Sequence, residues 1–140
     1  MRDLLDAPAE EVAAERARVA KEGWGAQVLA LQGPDGYWRA SLLDPDSWSA
    51  PETSGTGFFT YALAWGVNEG VLDRARYEAA VRHGWAALVR AVRPDGRLGY
   101  VQPPGDRPAD TRPDDTAPYG TGAFLLAGRE VYRLAVRAGR

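Results

Sequence analysis

The chain has 140 residues, of which 45% are hydrophobic and 26% charged, with a formal net charge of −2. This composition is typical of a folded domain, and its balanced charges give no basic surface for nucleic acid. Without cysteine, and with His83 as its single histidine, the chain can form neither a disulfide framework nor a multi-histidine metal site. No apolar run approaches the ~20 residues of a membrane span, and residues 1–8 are unlike a secretory signal peptide. We therefore expect no nucleic-acid partner, no membrane contact, no cofactor or metal, and a cytoplasmic location.

The first predicted helix covers residues 9–32. Pro8 followed by Glu10 and Glu11 is typical of a helix start, because acidic side chains interact favourably with the positive end of the helix dipole. Gly23 and Gly25 lower the helix propensity in the middle of this segment, so the helix can break there.

A long loop is predicted over residues 33–53, beginning with Pro-Asp-Gly at 34–36. Loops longer than about 12–15 residues without secondary structure are usually functional or disordered. This loop contains Tyr37, Trp38 and Leu42, and is too apolar for a disordered linker. We therefore expect it to pack over the rest of the fold.

Residues 54–69 form the next predicted helix, which is apolar almost all round and includes Phe58 and Trp65. A helix that is apolar on every side is expected to be buried. After a short turn, Asp73 is placed to cap an amphipathic helix over residues 73–91. A buried helix joined by a short turn to an amphipathic one is typical of an inner–outer α-hairpin.

A second long loop covers residues 93–118 and leads into a last helix over residues 119–137. Its aspartates match no calcium-loop template, so a solvated loop is predicted rather than a metal site; they are Asp106, Asp110, Asp114 and Asp115. Because the connections alternate long, short and long, both long loops should lie at one end of the helices. Function concentrates on such loop faces.

Two short sequences occur twice in the chain. Pro-Asp-Gly stands at 34–36 and again at 94–96, and Gly-Thr-Gly at 55–57 and again at 120–122. Each Pro-Asp-Gly follows a predicted helix, and each Gly-Thr-Gly opens the next. Self-similarity of this kind indicates a repeat architecture whose units stack to share a core.

Several longer motifs carry a resemblance to a known family. They are Asp-Gly-Tyr-Trp-Arg-Ala-Ser-Leu-Leu-Asp at 35–44, Pro-Glu-Thr-Ser-Gly-Thr-Gly-Phe-Phe at 51–59, and the segments 61–68 and 119–128. In their order and spacing, over roughly residues 26–134, the chain resembles glycoside hydrolase family 105, the unsaturated rhamnogalacturonyl and related uronyl hydrolases. The resemblance implies an all-α fold made of two helical hairpins of an (α/α)6 six-hairpin barrel, with residues 1–140 as the C-terminal portion of a single barrel domain.

The resemblance also implies a substrate and a reaction. The family cleaves unsaturated uronic acid from oligosaccharides such as those of pectin-derived rhamnogalacturonan, by hydrating the C4=C5 enol ether. This chemistry requires a carboxylic acid whose pKa is raised in a buried pocket, rather than a glycosidase's usual carboxylate pair. The family's general-acid aspartate and its Trp-Ala-Arg-Gly-Asn-Gly-Trp-type motif have no match here. No catalytic residue is therefore assigned, and we expect the chain alone to be inactive.

Trp38, Arg39 and Glu52 are substrate-binding candidates from the first long loop. The Trp38 ring could form a platform for a sugar, and the Arg39 guanidinium suits the carboxylate of a uronate. The alternatives are loop packing for Trp38 and a solvated charge for Arg39. Glu52 could bind sugar hydroxyls, but interaction with the N-terminus of the following helix is the simpler interpretation.

Thr56, Thr121 and Tyr119 are the candidates at the two helix starts. Helix N-termini bind anions, so the Gly-Thr-Gly segments could hold a uronate. Helix capping and close packing by glycine explain the same residues without a ligand. Tyr119 could equally contact ligand or pack in the core, and His83 is expected to be structural or exposed.

Two other functional classes fit the pattern of helices. A stand-alone helical-repeat binding module would need polar outer faces on its terminal helices, which the apolar helix over 54–69 argues against. A terpene-cyclase-like toroid would need an aspartate-rich catalytic motif, which is missing. If the chain is a partial barrel, its exposed inner helices should cause self-association.

Overall fold

The computed structural model describes residues 8–21 and 23–138, which contain five α-helices. They are α1 (Ala9–Lys21), α2 (Trp24–Ala30), α3 (Thr53–Asn68), α4 (Arg74–Arg90) and α5 (Pro118–Ala138). The only strand-like pairing in these residues is an isolated antiparallel bridge between Val92 and Leu98. The predicted all-α class is confirmed. The N-terminal segment that is unlike a signal peptide lies almost entirely in residues 1–7, which are outside the described residues.

Three of the four predicted helices match the structure closely, and the first does not. The segment predicted as one helix over 9–32 is divided into α1 and α2, and Gly23 precedes α2 with a φ of 73°. A left-handed conformation interrupts a right-handed helix, and glycine adopts it without steric cost. The predicted effect of the glycines is confirmed, and the single helix is wrong.

Helix α3 packs against both α4 and α5, and it runs parallel to α5. At its C-terminal end, the Asn68 side-chain amide donates to the carbonyl of Glu130 at 2.9 Å, and Arg137 donates to the Asn68 carbonyl. Helix α4 runs in the opposite direction. The carbonyl of Ala87, near its C-terminal end, accepts a hydrogen bond from Tyr37 in the loop that precedes α3. The loops 31–52 and 91–117 therefore lie together at the N-terminal ends of α3 and α5, as predicted.

Close helix packing depends on the first Gly-Thr-Gly segment. A Cβ added at Gly57 would lie 2.9 Å from the Cβ of Ala123 on α5. Real Cβ atoms do not approach so closely, so glycine lets the two backbones come together. The largest fully buried side chains of the described residues include Trp38, Leu63 and Leu88.

The predicted full burial of helix 54–69 is wrong for this chain. Phe58 and Trp65 are 47% and 38% exposed on α3, while Leu125 and Tyr132 are 64% and 71% exposed on α5. The reason is geometric, since α4 and α5 cover only part of the circumference of α3. Exposed large hydrophobic residues thus remain on both inner helices. Separately, no helix in the described ranges has the length and apolar character to cross a membrane.

The internal repeat is also a structural repeat. In the first Pro-Asp-Gly turn, the Gly33 N–H donates to the Tyr37 carbonyl at 2.8 Å and the Gly36 N–H to the Gly33 carbonyl at 2.9 Å. In the second, the Arg93 N–H donates to the Arg97 carbonyl and the Gly96 N–H to the Arg93 carbonyl, both at 2.9 Å. The glycines Gly36 and Gly96 have φ angles of 91° and 81°. The two sequences therefore fold into the same turn.

Candidate functional site

The two long loops meet at the N-terminus of α3, where Glu52 is the cap. Its carboxylate accepts from the Ser54 and Gly55 backbone N–H groups at 2.7 Å each, and from the Ser54 hydroxyl at 2.6 Å. The Gln102 N–H from the second loop adds a contact of 3.3 Å. An acidic cap satisfies the free N–H groups of the first turn and interacts favourably with the helix dipole. The helix-capping interpretation of Glu52 is confirmed, and its role in substrate binding stays a prediction.

Trp38 lies in the core rather than on a surface. It is 1% exposed, its indole N–H donates to the Val28 carbonyl at 2.7 Å, and its ring lies 5.5 Å from that of Phe59. A ring buried on both faces has no platform to offer a sugar. Trp38 therefore packs in the core, as the alternative interpretation predicted, and no geometric observation supports a role in sugar binding.

Arg39 is held against the first Pro-Asp-Gly turn. Its Nη2 atom donates to Asp35 at 2.7 Å, and the guanidinium lies 5.9 Å from the centre of the Tyr37 ring. The Nη1 atom is buried and has no hydrogen-bond partner among the described residues. Arg39 also lines a cavity of about 330 Å³ between α2 and the loop 31–52. The guanidinium therefore braces the turn and keeps one donor unused.

The two threonines of the Gly-Thr-Gly segments have opposite surroundings. Thr56 is fully buried, and its hydroxyl accepts from the Trp38 N–H at 3.0 Å and contacts the Glu52 carbonyl at 2.5 Å. Thr121 is exposed at the start of α5. Only Thr121 can reach a ligand without displacing a protein contact.

Tyr119 and Gln102 connect this region to the second long loop. The Tyr119 hydroxyl donates to the Gln102 carbonyl, and the Gln102 N–H faces Glu52. Burial raises the pKa of Tyr119 above its usual value, and the negative charge of Glu52 adds to this. The phenol therefore stays a neutral hydrogen-bonding group. Gln102 was not predicted, because a glutamine before two prolines carries no motif that would mark it.

The structure thus brings most of the predicted residues to one end of the fold. Thr56 contacts both Trp38 and Glu52, and Tyr119 is linked to Glu52 through Gln102. Arg39 lies beside Trp38 but turns towards Asp35, and Thr121 lies at the rim. His83 is exposed on α4, as expected.

Several charged residues outside this region are paired with protein groups. No group of three or more His, Cys, Asp or Glu residues there is placed to hold a metal ion. In the aspartate-rich loop, Asp114 pairs with Arg93 at 2.8 Å and Asp115 accepts from the Arg112 N–H at 2.8 Å. At the far end of α3, the fully buried Glu130 accepts from Asn68 at 2.9 Å and from Arg133 at 2.7 Å. Its side chain is committed to holding α5 on α3.

A helical repeat whose long loops meet at the N-termini of its inner helices is the architecture of an α/α barrel, and the comparisons identify the family. The model of Glycosyl Hydrolase Family 88 matches residues 10–135. The chain therefore belongs to this family, and together with the curated relatives this confirms the resemblance to the unsaturated uronyl hydrolases drawn from the motifs.

Two curated relatives are both unsaturated 3S-rhamnoglycuronyl hydrolases. The protein from Formosa agariphila is 51% identical over 108 residues, which are 77% of this chain and 29% of the relative. The protein from Alteromonas sp. (strain LOR) is 51% identical over 104 residues, which are 74% of this chain and 25% of the relative. The chain thus spans less than a third of the length of these proteins.

Solved structures share the fold over most of the chain. A family 88 glycosyl hydrolase from Bacteroides vulgatus has a TM-score of 0.81 and 38% identity, covering 90% of this chain and 37% of that one. A Salmonella enterica protein described as a possible GH105 member has a TM-score of 0.77 at 24% identity, over 94% and 35% of the two chains. These neighbours are six-hairpin α/α barrels, so the predicted hairpins of an (α/α)6 barrel are confirmed.

Proposed function

We propose that this chain forms part of the substrate-binding wall of a glycoside hydrolase that acts on unsaturated uronic-acid oligosaccharides. The observation that supports this most is the 51% identity to two unsaturated 3S-rhamnoglycuronyl hydrolases. The name of both relatives refers to an unsaturated uronyl group and to rhamnose. The substrate class is therefore an unsaturated uronic acid linked to rhamnose, cleaved by hydration of its C4=C5 bond.

The catalytic acid is proposed to lie outside these 140 residues. Enol-ether hydration needs a carboxylic acid that can give up a proton inside the pocket. The two buried carboxylates of the described structure, Glu52 and Glu130, are both enclosed by protein donors. Neither is open to a ligand, so the chain contributes to binding rather than to proton transfer.

We further propose that these residues are the C-terminal portion of one barrel domain. The exposed apolar residues of α3 and α5, such as Phe58 and Leu125, would then pack against further hairpins. Apolar patches above a few hundred Å² promote association. The isolated chain should accordingly self-associate, and sedimentation velocity measures this. A single monomeric species at all concentrations would contradict the partial-barrel proposal.

The activity is tested by following the absorbance of the C4=C5 chromophore on an unsaturated uronyl–rhamnose disaccharide. We expect no loss of absorbance with the 140-residue chain. We expect turnover when the matched region of the chain replaces its counterpart in the Formosa agariphila relative. Turnover by the chain alone would contradict the placement of the acid, and a folded but inactive chimera would contradict the role in the pocket wall.

A further inference from the structure

A groove between the two long loops contains a charged side chain that the site described above does not use. The groove has a volume of about 310 Å³. Its lining comes from Ala40 of the first loop and, in the second, from Gln102, Pro103, Asp106, Arg107 and Pro108. Gln102 is the residue that contacts both Glu52 and Tyr119, so the groove shares a wall with that cluster.

Arg107 differs from most arginines of the described chain. The others mostly pair with a carboxylate or a carbonyl, as in Arg39 with Asp35, Arg93 with Asp114, and Arg97 with Asp95. The guanidinium of Arg107 has no hydrogen bond or ion pair with any described residue. A guanidinium offers a planar set of N–H donors that matches a carboxylate or sulfate.

The segment that carries Arg107 is fixed at its base. In the amide orientation that the surrounding network favours, the Gln102 side chain donates to the Ala109 carbonyl at 3.0 Å and accepts from the Ala109 N–H at 2.9 Å. The residues between them, 103–108, include three prolines, which restrict the backbone. A fixed segment loses little entropy when it binds a ligand, so this geometry favours binding.

We propose that Arg107 binds an anionic group of an acidic oligosaccharide in this groove. The inference rests on the proposed function and adds a specificity-determining residue to it. The ligand group is a uronate carboxylate or a sulfate ester, since both offer oxygens in a geometry that suits the guanidinium. Asp106, which also lines the groove, accepts hydrogen bonds from neighbouring sugar hydroxyls and disfavours an anion on its own side.

The test measures binding to the 140-residue chain by isothermal titration calorimetry. The probes are an unsaturated digalacturonide for the carboxylate, galactose 6-sulfate for the sulfate ester, and galactobiose as a neutral control. Arg107→Gln should weaken binding of at least one acidic probe about tenfold, as expected for loss of a charge-assisted hydrogen bond, and leave galactobiose unchanged. Arg107→Lys should recover part of the loss.

Arg97→Gln is the matched control, because Arg97 lies in the same long loop, is exposed, and pairs with Asp95. Its binding should equal that of the unmodified chain. The inference is overturned if Arg107→Gln binds both acidic probes normally, if Arg97→Gln is equally impaired, or if the unmodified chain binds neither acidic probe. A loss confined to Arg39→Gln would overturn the role of Arg107 and leave the proposed function standing, since uronate binding would then belong to Arg39. The proposed function itself fails separately, in the chimera assay.

Discussion

The two copies of the repeat have the same local structure and different surroundings. Both Pro-Asp-Gly turns make the same hydrogen bonds, but the first packs on α4 whereas nothing lies within 4 Å of a Cβ added at Gly96. Both Gly-Thr-Gly segments begin a helix, but Gly57 meets Ala123 of α5 and Gly122 has open space around it. Identical sequences therefore fold alike locally, and the neighbouring helix decides whether each residue is structural or free.

The largest expected effect of a single substitution concerns the first of the two turn glycines. A Cβ added at Gly36 would overlap the backbone carbonyl of His83, and the positive φ of 91° strains any side chain there. We expect Gly36→Ala to lower the free energy of unfolding by about 3 kcal/mol. Gly96→Ala has the strain without the overlap, and should cost about 1 kcal/mol. Urea denaturation of the two variants measures this, and equal losses would show that packing of the first turn on α4 is unimportant.

Replacing the two helix glycines by alanine should change the stability of the fold in opposite directions. Gly57→Ala inserts a methyl group against Ala123 at 2.9 Å, so it should destabilise the fold by about 2 kcal/mol. Gly122→Ala fills open space within α5, where alanine is the better helix former, and should stabilise by up to about 1 kcal/mol. Thermal unfolding of both variants tests the contrast. A destabilising Gly122→Ala would mean that α5 has a close neighbour in solution at this position.

The threonines between these glycines should differ in the same direction. Thr56→Val leaves the buried backbone N–H of Trp38 without its acceptor, and we expect this to lower the free energy of unfolding by about 2 kcal/mol. Thr121→Val changes an exposed side chain, so its effect on stability should stay within about 0.5 kcal/mol. Chemical denaturation again gives both numbers. A neutral Thr56→Val would indicate that Trp38 finds another partner.

The smallest expected effect is a dependence on pH that only the first turn has. Burial raises the pKa of Tyr37 above 10.0; Arg90 opposes this, and Asp35 adds to it. Because the folded state binds this proton more tightly than the unfolded state, the contribution to stability is complete below pH 10 and is lost as the pH rises through the raised value. The second turn has Arg97 at the equivalent position and no buried phenol.

Stability should therefore fall as the pH rises above 10 in the unmodified chain and fall less in Tyr37→Phe, as measured by urea denaturation at a series of pH values. Tyr37→Phe also removes the hydrogen bond to the Ala87 carbonyl, so the comparison uses the slope against pH and not the absolute stability. Tyr119, whose pKa is also raised, contributes to the slope that remains. An unchanged slope would mean that Tyr37 does not titrate in this range.

The sequence by itself determined the helices, the turns and the family. The signals for these features act between residues close together in the chain. They are the hydrophobic periodicity, the capping residue Asp73, and the repeated Pro-Asp-Gly and Gly-Thr-Gly segments, and the predictions drawn from them are confirmed. The break at Gly23 was visible as low helix propensity, but propensity alone could not decide between a weakened helix and two helices.

Only the tertiary structure decided what each candidate residue touches. Trp38 and Arg39 are adjacent in sequence, yet the first is buried on Val28 and Phe59 and the second braces Asp35. Thr56 and Thr121 share one motif and differ completely in burial. Gln102 carries no motif at all, and it joins the two loops. These contacts link residues that are far apart in the chain and meet only after folding, so they could not be predicted from the local sequence around each residue.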